Sequence, residues 1–173
     1  MKRSTIVTMI VALAFSVAGV WYGNRQTTPS AAEPAAVTSL FAQTLPDLTG
    51  KSQPLAQWRG KRILVNFWAT WCTPCVEEMP ELSALQTELG ESSVQIVGIG
   101  IDSAANIGEF SKKVPVIYPL YVGGMGGSEL ARQFGNQAGG LPFTVLVAAD
   151  GTIQKTYLGR LKMNELRNDL GIR

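Results

Sequence analysis

The chain has no histidine. That single absence removes Ser-His and Cys-His catalytic pairs, histidine-ligated zinc and histidine proton shuttles. Charge is also scarce, at 16% of 173 residues, and it is balanced where folding is expected: setting aside Lys2, Arg3, Arg25 and Glu33 leaves 12 basic and 12 acidic residues from Val37 onward. A domain without a net positive field is a poor phosphate binder, so no nucleic-acid partner is expected. No internal repeat is visible, and the length suits one domain on a prior of about 100–200 residues each. Hydrophobic residues, at 46%, are plentiful enough for a buried core and exclude a disordered chain.

Cysteine is nearly absent too, and the two that occur, Cys72 and Cys75, are separated only by Thr73 and Pro74. A structural zinc site needs four ligands, and covalent haem attachment needs a histidine where Val76 stands. A purely structural disulfide over so short a loop would remove little unfolded-state entropy. Spacing, isolation and context point instead to a redox-active dithiol, with neither metal nor other cofactor.

Lys2 and Arg3 precede an uncharged stretch, Ser4 to Asn24, whose apolar core runs from Ile6 to Tyr22. That is the charge order of an export signal, with the positive side left in the cytoplasm. Residues 1–24 are expected to stay as a single-pass membrane anchor, with Trp21 and Tyr22 at the interface and the folded part on the exported, periplasmic side. The alternative is a signal peptide cut after Ser16-Val17-Ala18 or Ser30-Ala31-Ala32, giving a soluble periplasmic protein. Residues 25–36, small and polar with two prolines, read as a flexible tether, and the domain, 37–173, should begin near Val37.

Turn signals at Leu45-Pro46-Asp47 and Thr49-Gly50-Lys51 suggest a short hairpin or irregular lead-in between Phe41 and Trp58. Ile63–Trp68 is an apolar run suited to a strand buried on both faces. The cysteines follow at once, and Val76, Met79, Leu82, Leu85 and Leu89 then recur at helical spacing, with Pro80 predicting a kink. Val94–Ile101 reads as a second buried strand, Ala104–Lys113 as a helix and Tyr118–Val122 as a short strand. Glycines 123, 124, 126 and 127 suggest a flexible turn before a helix over Ser128–Phe134. Thr144–Val147 and Thr152–Tyr157 form a predicted hairpin, and Asn164–Leu170 a closing helix. The order predicts an α/β domain with a mixed central sheet.

At a strand-to-helix junction, unpaired backbone N–H groups and the helix dipole favour a thiolate, which makes Cys72 the expected nucleophile. Cys75, one turn inside, should be the buried partner that resolves a mixed disulfide on Cys72. Thr73 and Pro74 are expected to tune the reduction potential, Pro74 suiting a first helical turn. Trp68 and Trp71 could shield the site, although core packing explains Trp68 equally well.

The segment NFWATWCTPC resembles the active-site segment of the thioredoxin superfamily, specifically its membrane-anchored TlpA/ResA-like branch. The resemblance runs from Phe41 to Tyr157 and includes LPDLTGK, the CxxCxxExP signature from Cys72 to Pro80, and GGLPFTVLVAADGTI. It implies a thioredoxin fold with an N-terminal hairpin extension and a central αβ insertion over Ser103–Val122. It implies a cis Pro142, whose loop, with Leu141, faces the dithiol and offers backbone groups to a substrate strand beside Trp71, Thr73 and Pro74. It also matches Glu78 to an acidic residue beside the cysteines. Chemically, a carboxyl three residues after Cys75 shares its helix face and, if partly buried, can relay a proton. The competing reading makes Glu77, Glu78 and Glu81 a solvated helix face.

Two positions depart from relatives. Asn66 stands where ordinary thioredoxins carry a buried aspartate, so more of the proton chemistry falls on Glu78. Phe143 follows Pro142 where the cytochrome-maturation branch resembling CcmG often has glutamate, which argues against that specific substrate. The resemblance implies a membrane-tethered thiol:disulfide oxidoreductase that reduces exported proteins, such as apocytochrome c or copper-site assembly proteins, and is re-reduced by a transmembrane donor of the DsbD/CcdA type; the chain is expected to be a monomer. A thiol oxidant or isomerase, and a Cu(I)-binding module using the two thiolates, are the alternatives.

Overall fold

The computed structural model describes residues 34–90 and 94–172. The expected anchor, and the tether up to Glu33, lie outside the described residues. Among the described residues no helix is long and apolar enough to cross a membrane.

The first element is a helix that the tether reading did not anticipate. Helix α1, Ala35–Ala42, starts two residues before the expected domain boundary, so Ala35 and Ala36 belong to the fold. Its buried residues are Ala36, Val37, Leu40 and Phe41, one helical stripe in an alanine-rich segment. The expected hairpin follows as β1, Thr44–Pro46, and β2, Ser52–Pro54, paired antiparallel. Asp47 organises its turn: the carboxylate accepts from the Thr49 and Lys51 backbone N–H groups, the Thr49 hydroxyl and the Gln53 amide. These bonds, Thr49's foremost, lower the Asp47 pKa to about 2. A bridge from Asp47 to Tyr121 ties the hairpin to the main sheet.

After a 3-10 turn, Leu55–Trp58, come β3, Ile63–Trp68; α2, Thr73–Leu89; β4, Gln95–Gly100; α3, Ala104–Ser111; β5, Leu120–Val122; α4, Gly124–Gln133; β6, Phe143–Val147; β7, Ile153–Leu158; and α5, Met163–Leu170. The sheet order is β5-β4-β3-β6-β7, with β4 and β5 parallel to the central β3 and β6 and β7 antiparallel in turn. This is the thioredoxin fold with the expected hairpin and insertion. Strand alternation divides the core in two: Ile63, Val65 and Phe67 point into one layer with α1 and α4, while Leu64 and Trp68 point into the other with α2, α3 and α5. Each such fully buried side chain contributes about 1.5–3 kcal/mol.

The glycine run is not the expected turn, because α4 already begins at Gly124. A Cβ on Gly123 would lie 2.6 Å from Ile99 Cγ2, and one on Gly127 3.3 Å from the same atom. These glycines let the helix press onto β4. Helix α2 continues through Pro80 as one element, although the proline offers no N–H to the Val76 carbonyl.

Candidate active site

The parallel strands β3 and β4 end in register at Trp68 and Gly100, which brings the loops that follow them to one end of the sheet. Cys72 ends the loop after β3 and is the N-cap of α2, where its Sγ accepts a hydrogen bond from the Cys75 N–H at 3.3 Å. A helix start leaves such donors unused, so a sulfur there sits in a field that favours negative charge. Cys72 and Cys75 form a disulfide with a Cα–Cα distance of 5.3 Å. Their exposures differ as the helix start dictates, 5% for Cys72 and none for Cys75.

Around the disulfide, Thr73 and Pro74 are exposed, and Trp71 projects into solvent with 69% of its surface accessible. Trp71 therefore does not shield the sulfurs. Trp68 is a core residue, packed on Phe110 with ring centroids 5.0 Å apart. The Leu141–Pro142 peptide is cis. Leu141 packs against the core cluster that holds both cysteines. Its loop is pinned on either side: Asn136 accepts from the Gly140 N–H and donates to the Gly140 carbonyl, and the Pro142 carbonyl accepts from the Gly159 N–H. The Leu141 backbone polar groups have no intramolecular partner among the described residues.

Glu78 is fully buried on the inner face of α2, and the solvated-face reading fails for it. Its Oε1 accepts from Asn66 Nδ2 at 2.8 Å and its Oε2 from the Leu161 N–H at 3.0 Å. Burial raises its pKa to about 7, against the opposing pull of these two hydrogen bonds and of the Arg160 charge. Asn66 donates its second hydrogen to Thr144 Oγ1 at 3.0 Å, and its own Oδ1 is buried without a partner among the described residues. Thr144, Asn66 and Gly98 lie side by side across β6, β3 and β4. A Cβ on Gly98 would sit 2.4 Å from Leu120 Cδ2, 3.2 Å from Tyr118 Cε2 and 3.3 Å from Trp68 Nε1, so the missing side chain makes room for Leu120 first and eases the approach of both rings. The Tyr118 hydroxyl has no partner among the described residues, and burial followed by the Glu78 charge raises its pKa.

Two further features were not read from the sequence. Arg160, in the loop after β7, pairs with Glu77 at 2.9 Å and Glu81 at 3.1 Å, bracketing Glu78 while the next residue's N–H bonds it. Both partners are some eighty residues away in the chain, and nothing local signals the pairing. Thr70, in the loop carrying Trp71, donates to Asp102, which also accepts from the Ser103 N–H and Asn106 Nδ2 at 2.7 Å each. Burial opposes ionisation of Asp102, yet these donors keep its pKa lowered.

A dithiol at the start of a helix, set in this fold, defines a thioredoxin-type protein-disulfide oxidoreductase. The sequence profile described as Redoxin matches residues 26–170, and the chain belongs to that family, in its TlpA/ResA-like branch. It is 25% identical over 171 residues to the thiol-disulfide oxidoreductase ResA of Geobacillus thermodenitrificans, covering 98% of this chain and 92% of the relative. Identity to the ResA protein of Bacillus thuringiensis subsp. konkukian is 30% over 125 residues, 72% of this chain and 70% of the relative. Among solved structures, the thioredoxin-related protein from Neisseria meningitidis serogroup B superposes with a TM-score of 0.63 at 35% identity, over 70% of this chain and 91% of that one.

Proposed function

We propose that the protein is an exported, membrane-tethered reductase of protein disulfides, in which Cys72 attacks, Cys75 resolves and Glu78 relays the Cys75 proton to the departing substrate thiolate. The observation that carries this reading is the buried Glu78 carboxyl, three residues after Cys75 on the same helix and held by Asn66 and Leu161. Residues at i and i+3 share a helix face, which supports a proton exchange between this carboxyl and the resolving thiol.

The steps balance as follows. The Cys72 thiolate attacks one sulfur of a substrate disulfide, forming a mixed disulfide and releasing one substrate thiolate. Cys75 gives its proton to the Glu78 carboxylate and attacks the Cys72 sulfur. The Cys72–Cys75 disulfide forms, and the second substrate thiolate leaves and takes the proton from Glu78. Two electrons pass to the substrate, and a transmembrane donor of the DsbD/CcdA type returns them. Substrate contacts fall on Trp71, Thr73, Pro74, Leu141 and Pro142, a role supported by the exposure of the first three and the unused Leu141 backbone groups. The substrates are exported proteins with cysteine pairs, such as apocytochrome c or copper-site assembly proteins, and the hydrophobic run from Ile6 to Tyr22 provides the tether.

Replacing Cys75 by Ser and purifying the protein from membranes tests the reading. Exported proteins disulfide-linked to Cys72, released by reductant, are the expected result. Recovery of the variant in a soluble fraction, with only small thiols on Cys72, would contradict it.

A further inference from the structure

Among the described residues Glu78 has two direct hydrogen-bond partners, and they are chemically unequal. The Leu161 N–H can only donate. That suits a carboxylate and leaves a carboxylic acid's O–H without an acceptor. Asn66 carries both functions on one side chain. In the structure its Nδ2 serves Glu78 and Thr144 together, while Oδ1 is buried and nothing among the described residues bonds it. Turning the amide over exchanges the two ends. Oδ1 then accepts from the protonated carboxyl and from the Thr144 hydroxyl, which can donate as readily as it accepts.

The other groups facing Glu78 do not supply this exchange. Arg160 donates only and is engaged by Glu77 and Glu81. Those two carboxylates are acceptors already paired to it. Tyr118 presents an unpartnered hydroxyl from the insertion but makes no hydrogen bond to Glu78. Cys75 lies one turn back on the same helix and is the proton's source.

We propose that Asn66 is a positioning residue for proton transfer, its side-chain amide turning over as Glu78 gains and loses a proton, so that Nδ2 holds the carboxylate and Oδ1 holds the acid. The inference rests on the reading of Glu78 as the acceptor of the Cys75 proton. It gives a physical reason for an amide at this strand position: an aspartate there would put two carboxyls at hydrogen-bond distance, and one would stay protonated while the other was charged.

The test follows the Asn66 side-chain amide resonances and the Glu78 carboxyl carbon through a pH titration of the wild-type domain with its anchor. The amide signals should shift with the same midpoint as the carboxyl and become independent of pH in Glu78→Gln. Amide signals that stay flat while the carboxyl titrates overturn the proposal. Kinetics add a second reading, on Asn66→Asp and Asn66→Leu. Losing the donor, or gaining a second carboxyl, favours the protonated form of Glu78, so the acidic inflection of mixed-disulfide resolution should move upward. A shift of one pH unit slows the rate about tenfold at a pH below the wild-type inflection. Lower melting temperatures with an unmoved inflection would mean that Asn66 only packs, and would refute the role. If Glu78→Gln itself leaves the pH profile unchanged, the proton-relay reading falls and this inference falls with it. A normal response of Glu78→Gln beside unresponsive Asn66 variants removes the Asn66 role alone.

Discussion

Asn66 on the central strand and Glu78 on the active-site helix share a hydrogen bond of 2.8 Å with neither side chain exposed to water. A carboxyl in such a place is held charged only by its donors, and burial outweighs them, lifting its pKa from 4.5 to about 7.

The pH dependence of stability follows with a definite sign. The folded chain binds the Glu78 proton more tightly than the unfolded chain does, so this group favours folding below about pH 4.5 and the advantage is lost as pH rises through about 7. By pH 8 the ionised carboxyl opposes folding by about 3 kcal/mol. Glu78→Gln should therefore melt above wild type at pH 8, and the two melting temperatures should converge below pH 4.5 in the oxidised protein. A constant difference across that range would mean that Glu78 has an ordinary pKa.

After reduction, the two thiols should differ in reactivity. Cys72 sits at the helix start with some exposure and Cys75 has none, so alkylation near neutral pH should label Cys72 first. Mass spectrometry over time resolves the order. Equal rates at both sulfurs would contradict the assignment of roles.

Arg160 and Glu81 should tune Glu78 in opposite directions. The arginine's charge lowers the Glu78 pKa and the Glu81 charge raises it. Arg160→Gln should move the acidic inflection of the resolution rate upward, and Glu81→Gln downward. Because these ion pairs are substantially exposed, either change should alter stability by no more than about 1 kcal/mol. Shifts of the same sign would show that the two variants act through a general change in the loop.

Local pattern carried most of the architecture. The run Ile63–Trp68 is the central strand to the residue, because burial on both faces leaves a continuous apolar signature. Cys72, Cys75 and their order of burial followed from the position of a helix start. Helix α1 escaped notice because prolines and small residues upstream outweighed the stripe Ala36, Val37, Leu40 and Phe41, which was there to be read. The glycines from 123 to 127 misled in the opposite sense, since close packing on Ile99 and conformational freedom ask for the same residue. What surrounds Glu78 was illegible for another reason. Leu161 bonds Glu78 directly, Thr144 bonds its partner Asn66, and Arg160 pairs with its helix neighbours Glu77 and Glu81, all through tertiary contacts between distant segments.

Trp71 should matter for large substrates and little else. Its exposed ring adds little to the core, so Trp71→Ala should change stability by less than about 0.5 kcal/mol. KM for a disulfide-bonded protein substrate should rise several-fold, while turnover of a small-molecule disulfide stays near wild type. Equal losses on both substrates would place the effect on the dithiol instead. Thr70→Val, which cuts the tie from the Trp71 loop to Asp102, should reproduce the same selective loss more weakly.

The most direct test of the central claim is the single-turnover rate of mixed-disulfide resolution between pH 5 and 9, compared for wild type and Glu78→Gln. A carboxyl that takes the Cys75 proton gives the wild-type rate an inflection near its pKa of about 7, and the amide variant should be slower above it and lack it altogether. Superimposable profiles for the two proteins would show that Glu78 is a buried structural residue and that the proton leaves Cys75 by another route.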